Sequence, residues 1–267
     1  MSTTTTSTAP PLSATTTAST GTGSPLVMQI IAGCALAHLV NDLIQAVLPS
    51  IYPILKASYG LSFTQIGLIT LTFQLTASLL QPWVGYHTDR HPKPWLLPVG
   101  SICTLVGIIM LAFVGSFGAI LLASALVGIG SSTFHPEASR IARLASGGRF
   151  GLAQSTFQVG GNAGSAFGPL LAAAIIIPYG QTHTAWFGLV ALFSMFVLYR
   201  LSRWYSHHLS LFKLKAGTKA THGLSRRRVT FALVILALLV FSKYFYMTSF
   251  TSYFTFYLIE KFDLSVA

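Results

Sequence analysis

Long apolar segments alternate with short polar ones along most of this chain, and this pattern defines the predicted elements. Seven apolar segments are each long enough, at about 1.5 Å per residue, to cross a hydrocarbon layer about 30 Å thick as a helix. They run from residues 28 to 54, 62 to 86, 95 to 114, 117 to 135, 151 to 177, 184 to 204 and 229 to 258. The pattern predicts an all-α, polytopic membrane protein.

The composition supports this class. Charged residues make up 8% of the 267 residues and hydrophobic residues 52%, whereas about a quarter of a typical soluble domain is charged. The net charge of +11 does not indicate nucleic-acid binding, because the basic residues cluster in three short segments between apolar ones. The sequence contains no convincing catalytic set or metal cluster, so we expect no enzyme, no metal and no cofactor.

Four regions follow from the same pattern. Residues 1–24 contain fifteen Ser or Thr and no charged residue, so they can neither bury a core nor act as a signal or transit peptide. We predict a disordered tail over 1–27, a six-helix transmembrane bundle over 28–204 and a basic cytoplasmic loop over 205–228. The seventh helix and the start of an incomplete carboxy-terminal half are predicted over 229–267.

The positions of Lys and Arg predict the orientation in the membrane. Thirteen of the sixteen accompany the segments after the second, fourth and sixth spans, two lie in the alternate segments, and Lys243 lies within the seventh span. Cytoplasmic loops carry the excess of basic residues. The amino terminus is therefore predicted on the cytoplasmic side and the last residue on the outer side.

The first span carries a polar stripe in an otherwise uncharged apolar stretch. His38, Asn41, Asp42 and Gln45 recur at helical spacing on one face. An ionisable residue inside a membrane is costly and marks a functional site by default, and desolvation favours proton uptake by a carboxylate. We assign proton coupling to Asp42 and His38, and substrate binding to Asn41 and Gln45. In the alternative interpretation, the four side chains only hydrogen-bond to neighbouring helices.

Other polar groups within the spans are candidate substrate contacts. Lys243, with Tyr244 or Tyr246 beside it, would attract an anion. Alternatively, Lys243 pairs with Asp42, and protonation of Asp42 would then release Lys243 to bind an anion. Amide side chains in the second and fifth spans are predicted to hydrogen-bond a polar substrate, with contacts between helices as the alternative. They are Gln74, Gln154, Gln158 and Asn162.

Two stretches of the sequence resemble each other. GLITLTFQ at 67–74 and GLAQSTFQ at 151–158 match at five of eight positions. By the charge pattern the second span runs inward and the fifth outward, which is the relation expected for inverted three-plus-three repeats in a transporter. Chance similarity between two apolar helices is the alternative.

Two short motifs resemble signatures of the major facilitator superfamily. After the second span, a Gly-x-x-x-Asp-Arg loop with a nearby base is formed by Gly85, Asp89, Arg90 and Lys93. Asp89 is expected to accept hydrogen bonds, accommodate a helix N-terminus and hold the cytoplasmic side closed. In the fifth span, a Gly-x-x-x-Gly-Pro sequence resembles that of the drug antiporter branch and would let another helix pack closely. It comprises Gly164, Gly168 and Pro169.

The inner end of the fourth span is a further candidate for function. Its residues are expected to form a cytoplasmic gate or a group that takes up protons, with a capped helix end as the alternative. They are His135, Glu137 and Arg140.

Longer strings narrow the resemblance to the fosmidomycin resistance family of that superfamily. They are HLVNDLIQ (38–45), QIGLITLTFQL (65–75), GSSTFHPEASRIARLASGGR (130–149), GLAQSTFQVGGN (151–162) and FSKYFYM (241–247). The resemblance covers nearly all of the chain from residue 28 onward. It implies an efflux pump of the bacterial inner membrane that exchanges an anionic phosphonate antibiotic for protons, with the drug, protons and membrane lipids as its partners.

Two features depart from the family pattern. Many proton antiporters of the superfamily carry an arginine in the fourth span where this sequence has Ser124. Members also have twelve spans, so this chain resembles a complete amino-terminal six-helix half plus helix 7, and function is expected to require the missing carboxy-terminal half. A non-functional fragment is one alternative. A retinal-binding photoreceptor or pump is another, although span 95–114 offers no carboxylate as a counterion.

Overall fold

The computed structural model describes residues 26–213 and 225–263, with the side chains of 210–213 excepted. This part of the chain contains nine α-helices and no strand. The helices are α1 (Met28–Ser50), α2 (Tyr52–Tyr59), α3 (Phe63–Gln74), α4 (Leu80–Arg90), α5 (Leu96–Phe113), α6 (Phe117–Leu144), α7 (Phe150–Tyr179), α8 (Phe187–Lys213) and α9 (Arg226–Phe262). They form seven units that are long and apolar enough to span a membrane. The prediction of an all-α, multi-pass membrane protein is confirmed.

The first span is a helix with a break near its carboxyl end. α1 and α2 are separated by Ile51, and Pro53 stands in the first turn of α2, where its missing N–H costs no helical hydrogen bond. α2 ends at Gly60, whose φ of 59° lies in the left-handed region that glycine adopts readily. The unit therefore extends to Tyr59, beyond the predicted end at residue 54.

The second span changes its helix type near the middle. Ser62 and Gln65 form a capping box that starts α3. A single π-helical turn, Leu75–Leu79, then connects α3 to α4, and the three segments form one unit from Phe63 to Arg90. The apolar pattern did not predict this turn, because a π-helical turn and an α-helical turn can be equally apolar.

The fourth and sixth spans are longer than predicted. α6 continues to Leu144, so His135 and Glu137 lie inside the helix, and the alternative that they form a capped helix end is wrong. α8 continues to Lys213 and α9 begins at Arg226, so both ends of the predicted loop over 205–228 are helical. Hydropathy ended these helices early because their additional turns carry polar and basic residues. The predicted tail through residue 25 and the loop segment 214–224 lie outside the described residues.

Three glycines bring the backbone of α7 against that of α1. They are spaced four residues apart on one face of α7, and a Cβ atom on any of them would overlap a backbone carbonyl oxygen of α1. The glycines and the residues that provide these oxygens are Gly160 with Ala35, Gly164 with Leu39, and Gly168 with Leu43. Small residues permit this approach of two helices. We call these contacts the glycine seam. Pro169 follows it on the exposed side of α7.

The seventh span packs on the second through its carboxyl-terminal part. Gln74 Nε2 donates to Thr248 Oγ1 at 3.4 Å, and the hydroxyls of Thr70 and Ser252 are 3.3 Å apart. Among the described residues of α9, Ser252 and Phe256 are buried. The preceding turns of α9 are exposed and largely apolar.

The glycine seam predicts opposite effects of one substitution at two positions of α7. Gly164→Ala should lower the free energy of unfolding by about 1–3 kcal/mol, because the added methyl overpacks the contact with Leu39. Gly151→Ala should raise it by up to about 1 kcal/mol, because alanine favours the helix and a Cβ atom there meets nothing within 4 Å. Thermal unfolding in detergent of the protein from the complete reading frame would measure both. Equal effects at the two positions would contradict the seam.

Candidate functional site

The polar stripe predicted on α1 converges on the carboxyl group of Asp42. Asn41 Nδ2 and Gln45 Nε2 donate to Asp42 Oδ1 at 3.0 and 3.2 Å. The Asp42 side chain is 19% exposed, so it is partly accessible. Its two amide neighbours fix its orientation. Asn41 and Gln45 were predicted to bind substrate, and in this structure they hold the carboxyl group.

His38 lies one helical turn before Asp42 and contacts it through Nε2, which is 3.2 Å from Asp42 Oδ2. The other ring nitrogen, Nδ1, is 2.8 Å from the backbone carbonyl oxygen of Phe157 on α7. A carbonyl oxygen can only accept, so Nδ1 carries a hydrogen, and a neutral His38 then has none on Nε2. The contact between Nε2 and Oδ2 therefore requires a proton, carried by the ring or by the carboxyl group. This geometry suits His38 and Asp42 to share one proton.

A second histidine reaches the same carboxyl group from α6. His135 Nε2 is 3.5 Å from Asp42 Oδ1, and its ring meets that of His38 edge-on at 5.1 Å. Its Nδ1 lies 3.2 Å from the Ser131 carbonyl oxygen and 3.4 Å from the Ser131 hydroxyl. Nδ1 of His135 therefore has a partner in either tautomer of the ring. By contrast, the Phe157 carbonyl selects a single tautomer of His38. We call Asp42, His38 and His135 the carboxyl-imidazole cluster.

The contact between His135 and Asp42 was missed because the fourth span was predicted to end at residue 135. A signal for it was present in the sequence. Ala138, Ile141 and Ala142 continue the helical apolar period, and all three are buried. That period extends the helix and places His135 in its interior.

The carboxyl-imidazole cluster fits only because residue 161 is a glycine. A Cβ atom on Gly161 would overlap the His38 ring and lie 2.9 Å from Asp42 Oδ2. Gly161 stands next to Gly160 of the glycine seam, so the same close approach of α7 provides the space for the cluster and the Phe157 carbonyl for His38.

The cluster also has the composition of a small metal site. One ligand atom from each of its residues lies within 4.8 Å of the others, and it is the only such group of three found in the described part of the chain. Two imidazoles and one carboxylate suit a borderline transition metal such as Zn²⁺. The same groups are equally suited to bind protons.

The predicted amide residues of the fifth span form a separate surface. Gln154, Gln158 and Asn162 lie on the exposed side of α7. Gln158 Nε2 donates to Asn162 Oδ1 at 3.2 Å, and Gln154 Oε1 accepts from Ser139 at 3.4 Å. We call these three residues the α7 amide strip. It does not contact Asp42.

Lys243 does not form the hypothetical ion pair with Asp42. Its ammonium lies 5.5 Å from the ring of Tyr244, and both side chains are exposed on α9. Within the described residues, the ionisable groups that lie within 4 Å of the Asp42 carboxyl group are the imidazoles of His38 and His135. The reason is geometric. α9 contacts the second span at Thr248 and Ser252, and Lys243 precedes these contacts on an exposed part of the helix.

Arg140 joins the loop motif to the fourth span. Its guanidinium pairs with Asp89 and with Glu137 Oε1, the latter at 2.7 Å, and donates to the Thr88 carbonyl at 3.2 Å. Glu137 is completely buried, whereas Asp89 is 70% exposed. In this structure the partner of Asp89 is this guanidinium and not the predicted helix N-terminus.

The remaining residues of the loop motif surround this contact. Gly85 packs against Pro136, and a Cβ atom on Gly85 would lie 3.7 Å from the Pro136 Cβ. The Arg90 guanidinium lies 3.5 Å from the centre of the Tyr86 ring, and the Lys93 ammonium 6.0 Å from that of Trp95. These cations stack on aromatic rings at the surface and do not join the Arg140 contact.

Known proteins resemble this chain over most of its length. The fosmidomycin resistance protein of Escherichia coli (strain K12) is 58% identical over 237 residues, which cover 89% of this chain and 58% of that protein. The uncharacterized MFS-type transporter YfnC of Bacillus subtilis (strain 168) is 40% identical over 261 residues, which cover 97% of this chain and 63% of that protein. The chain thus spans less than two thirds of the length of these relatives.

Solved structures of the peptide transporter POT share the fold at low identity. The complex with sulfate has a TM-score of 0.57 at 17% identity and covers 89% of this chain and 48% of that one. A mutant in complex with alafosfalin has a TM-score of 0.54 at 20% identity and covers 81% and 46%. The family model of the Major Facilitator Superfamily matches residues 34–267. The family match and the seven membrane-length helices show that this chain belongs to the major facilitator superfamily.

Proposed function

We propose that this chain forms the proton-binding half of a transporter that exports a small anionic, fosmidomycin-like phosphonate in exchange for protons. The observation that carries the proposal is the contact between His38 Nε2 and Asp42 Oδ2, which requires a proton within a membrane span. The name of the relative that is 58% identical supports the substrate class. The proposed location is the bacterial inner membrane, with the amino terminus in the cytoplasm.

The geometry suggests how proton release would drive a conformational change. Without its proton, the contact would bring two lone pairs together at 3.2 Å, which is unfavourable in a poorly hydrated site. His38 or Asp42 would then have to move, and His38 is tied to α7 through the Phe157 carbonyl. His135 lies close enough to receive the released proton. Proton occupancy would thus favour one position of α1 relative to α7, which is the coupling that alternating access requires.

Substrate binding is assigned to the α7 amide strip, Gln74 and the pair Lys243 and Tyr244. Amide N–H groups and an ammonium group are suitable donors to phosphonate oxygens. These side chains occupy exposed or partly exposed positions on α7, α3 and α9. In a transporter built from two halves, such surfaces line a cavity between them. A carboxy-terminal half that completes this cavity is therefore part of the proposal.

The Arg140 contact is assigned as the cytoplasmic gate. Arg140 binds both Asp89 beside the second span and Glu137 of the fourth, so breaking the contact would let the ends of α4 and α6 separate. A fully buried carboxylate needs such a partner. Opening of the gate would therefore require Glu137 to become hydrated or protonated.

Replacing Asp42 with Asn should abolish proton-coupled efflux, because asparagine cannot exchange the proton shared with His38. In cells that express the complete reading frame, the variant should let fosmidomycin accumulate to the level of cells without the protein. In proteoliposomes, drug addition should cause no proton flux. Asp263→Asn, at the exposed end of α9, is the matched control and should transport normally. Intact proton-driven efflux by Asp42→Asn at an unchanged protein level would contradict the assignment.

Replacing Lys243 with Met should weaken the binding of the anionic drug. Loss of one hydrogen bond to a charged group costs about 1.5–3 kcal/mol, so the half-saturating drug concentration should rise roughly 10- to 100-fold. Lys243→Arg should restore most of the affinity, and Lys261→Met, in the last turn of α9, is the control. Drug uptake into inverted vesicles over a range of concentrations measures the effect. An unchanged half-saturating concentration in Lys243→Met would remove Lys243 from the substrate site.

A further inference from the structure

A small cavity lies beside Asn41, between α1, α5, α6 and α8. Its volume is ≈ 10 Å³, and all of the residues that line it are buried. Most are apolar, but four side chains from three helices present polar atoms. They are Asn41 on α1, Ser101 and Thr104 on α5, and Ser194 on α8.

Two of these polar groups have lone pairs free to accept hydrogen bonds. Asn41 gives its amide nitrogen to Asp42 Oδ1, which leaves its carbonyl oxygen Oδ1 for the cavity. Ser101 gives its hydroxyl hydrogen to the Pro98 carbonyl at 2.7 Å, which leaves the lone pairs of its oxygen. The cavity thus contains two acceptors without a donor from the protein.

The other two groups are donors without an acceptor. Thr104 and Ser194 are 7% and 5% exposed, and their hydroxyls form no hydrogen bond to any residue in the described ranges. A helical Thr or Ser commonly donates to a carbonyl of its preceding turn, as Ser124 does to the Ile120 carbonyl at 2.8 Å. Buried polar groups are rarely left unpaired. A partner placed in the cavity that both residues line would satisfy the two hydroxyls.

We propose that one water molecule occupies this cavity. It would accept from the Thr104 and Ser194 hydroxyls and donate to Asn41 Oδ1 and Ser101 Oγ, which satisfies all four groups. A buried water typically makes about three hydrogen bonds and needs a space of about 10–15 Å³. A sodium ion fits less well, because no carboxylate lines the cavity and an unpaired buried charge is unfavourable.

The water gives Asn41 a defined role. With its carbonyl oxygen held by the water, the Asn41 amide cannot flip, and its nitrogen stays directed at Asp42 Oδ1. The water thereby links α5 and α8 to the carboxyl-imidazole cluster. This consequence rests on the proposed proton-binding function, whereas the presence of the water does not.

The sign of a change in melting temperature tests the proposal. Thr104→Val keeps the shape of the side chain, and Ser194→Ala is nearly isosteric, but each removes a hydroxyl. If the water is present, each variant deprives it of a partner, and the melting temperature of the complete protein should fall by about 2–4 °C. Thr76→Val and Ser124→Ala are the controls, because those hydroxyls donate to carbonyls of their own helix. They should change the melting temperature less.

Two outcomes would overturn the proposal. A rise in melting temperature for both variants would mean that the cavity is dry, since each substitution would then remove an unpaired hydroxyl. Sodium would be the ligand instead if sodium chloride, but not choline chloride, raised the melting temperature of the wild type. In that case the rise should be lost in Ser194→Ala. If a variant does not fold, a cryo-EM map of the wild type that shows ordered waters provides the test. Absence of density in the cavity would contradict the proposal. None of these readouts depends on transport, so failure of the proposed function would leave them unaffected.

Discussion

The close approach of α7 to α1 is the constraint on which the site depends. Glycines at 160, 164 and 168 let the two backbones meet, and Gly161 leaves room for the side chains of His38 and Asp42. The same approach brings the Phe157 carbonyl to His38 Nδ1. A methyl group at any of these glycines would separate the helices and release the histidine from its tautomer.

The packing of α7 on α1 fixes the tautomer of His38, and this tautomer determines where a proton can lie. A histidine that is free to choose its tautomer could donate from Nε2 to a carboxylate without an additional proton. Because Nδ1 donates to the Phe157 carbonyl, a hydrogen bond between Nε2 and Asp42 requires one proton more than a neutral imidazole and an ionised carboxylate hold together. His135, which has a choice of partners at Ser131, is suited to exchange that proton. The chain belongs to the major facilitator superfamily, which is a family of transporters and not of enzymes.

The sequence was sufficient for the fold class, the seven spans and the family, because each depends on long apolar runs or on contiguous strings. It also placed His38 beside Asp42, since both lie on one helix at a spacing that defines their contact. It did not reveal that His135 meets Asp42, because that contact joins two helices and the fourth span was ended too early. The ion pair between Lys243 and Asp42 was plausible by charge alone, but the position of α9 separates them. The retinal alternative, which relied on the span count and on Lys243, is not favoured by the family match over 34–267.

Nitrogen-15 NMR of labelled histidine in the complete protein can detect a proton held between His38 Nε2 and Asp42 Oδ2 directly. The His38 signals are assigned by their loss in His38→Gln. We expect Nδ1 of His38 to be protonated at every pH at which the protein is folded. Nε2 should be either protonated as well or a strong hydrogen-bond acceptor from a neutral carboxyl group. An unprotonated Nδ1 with a hydrogen on Nε2 would contradict proton binding between His38 and Asp42, because His38 could then bind an ionised Asp42 without any additional proton.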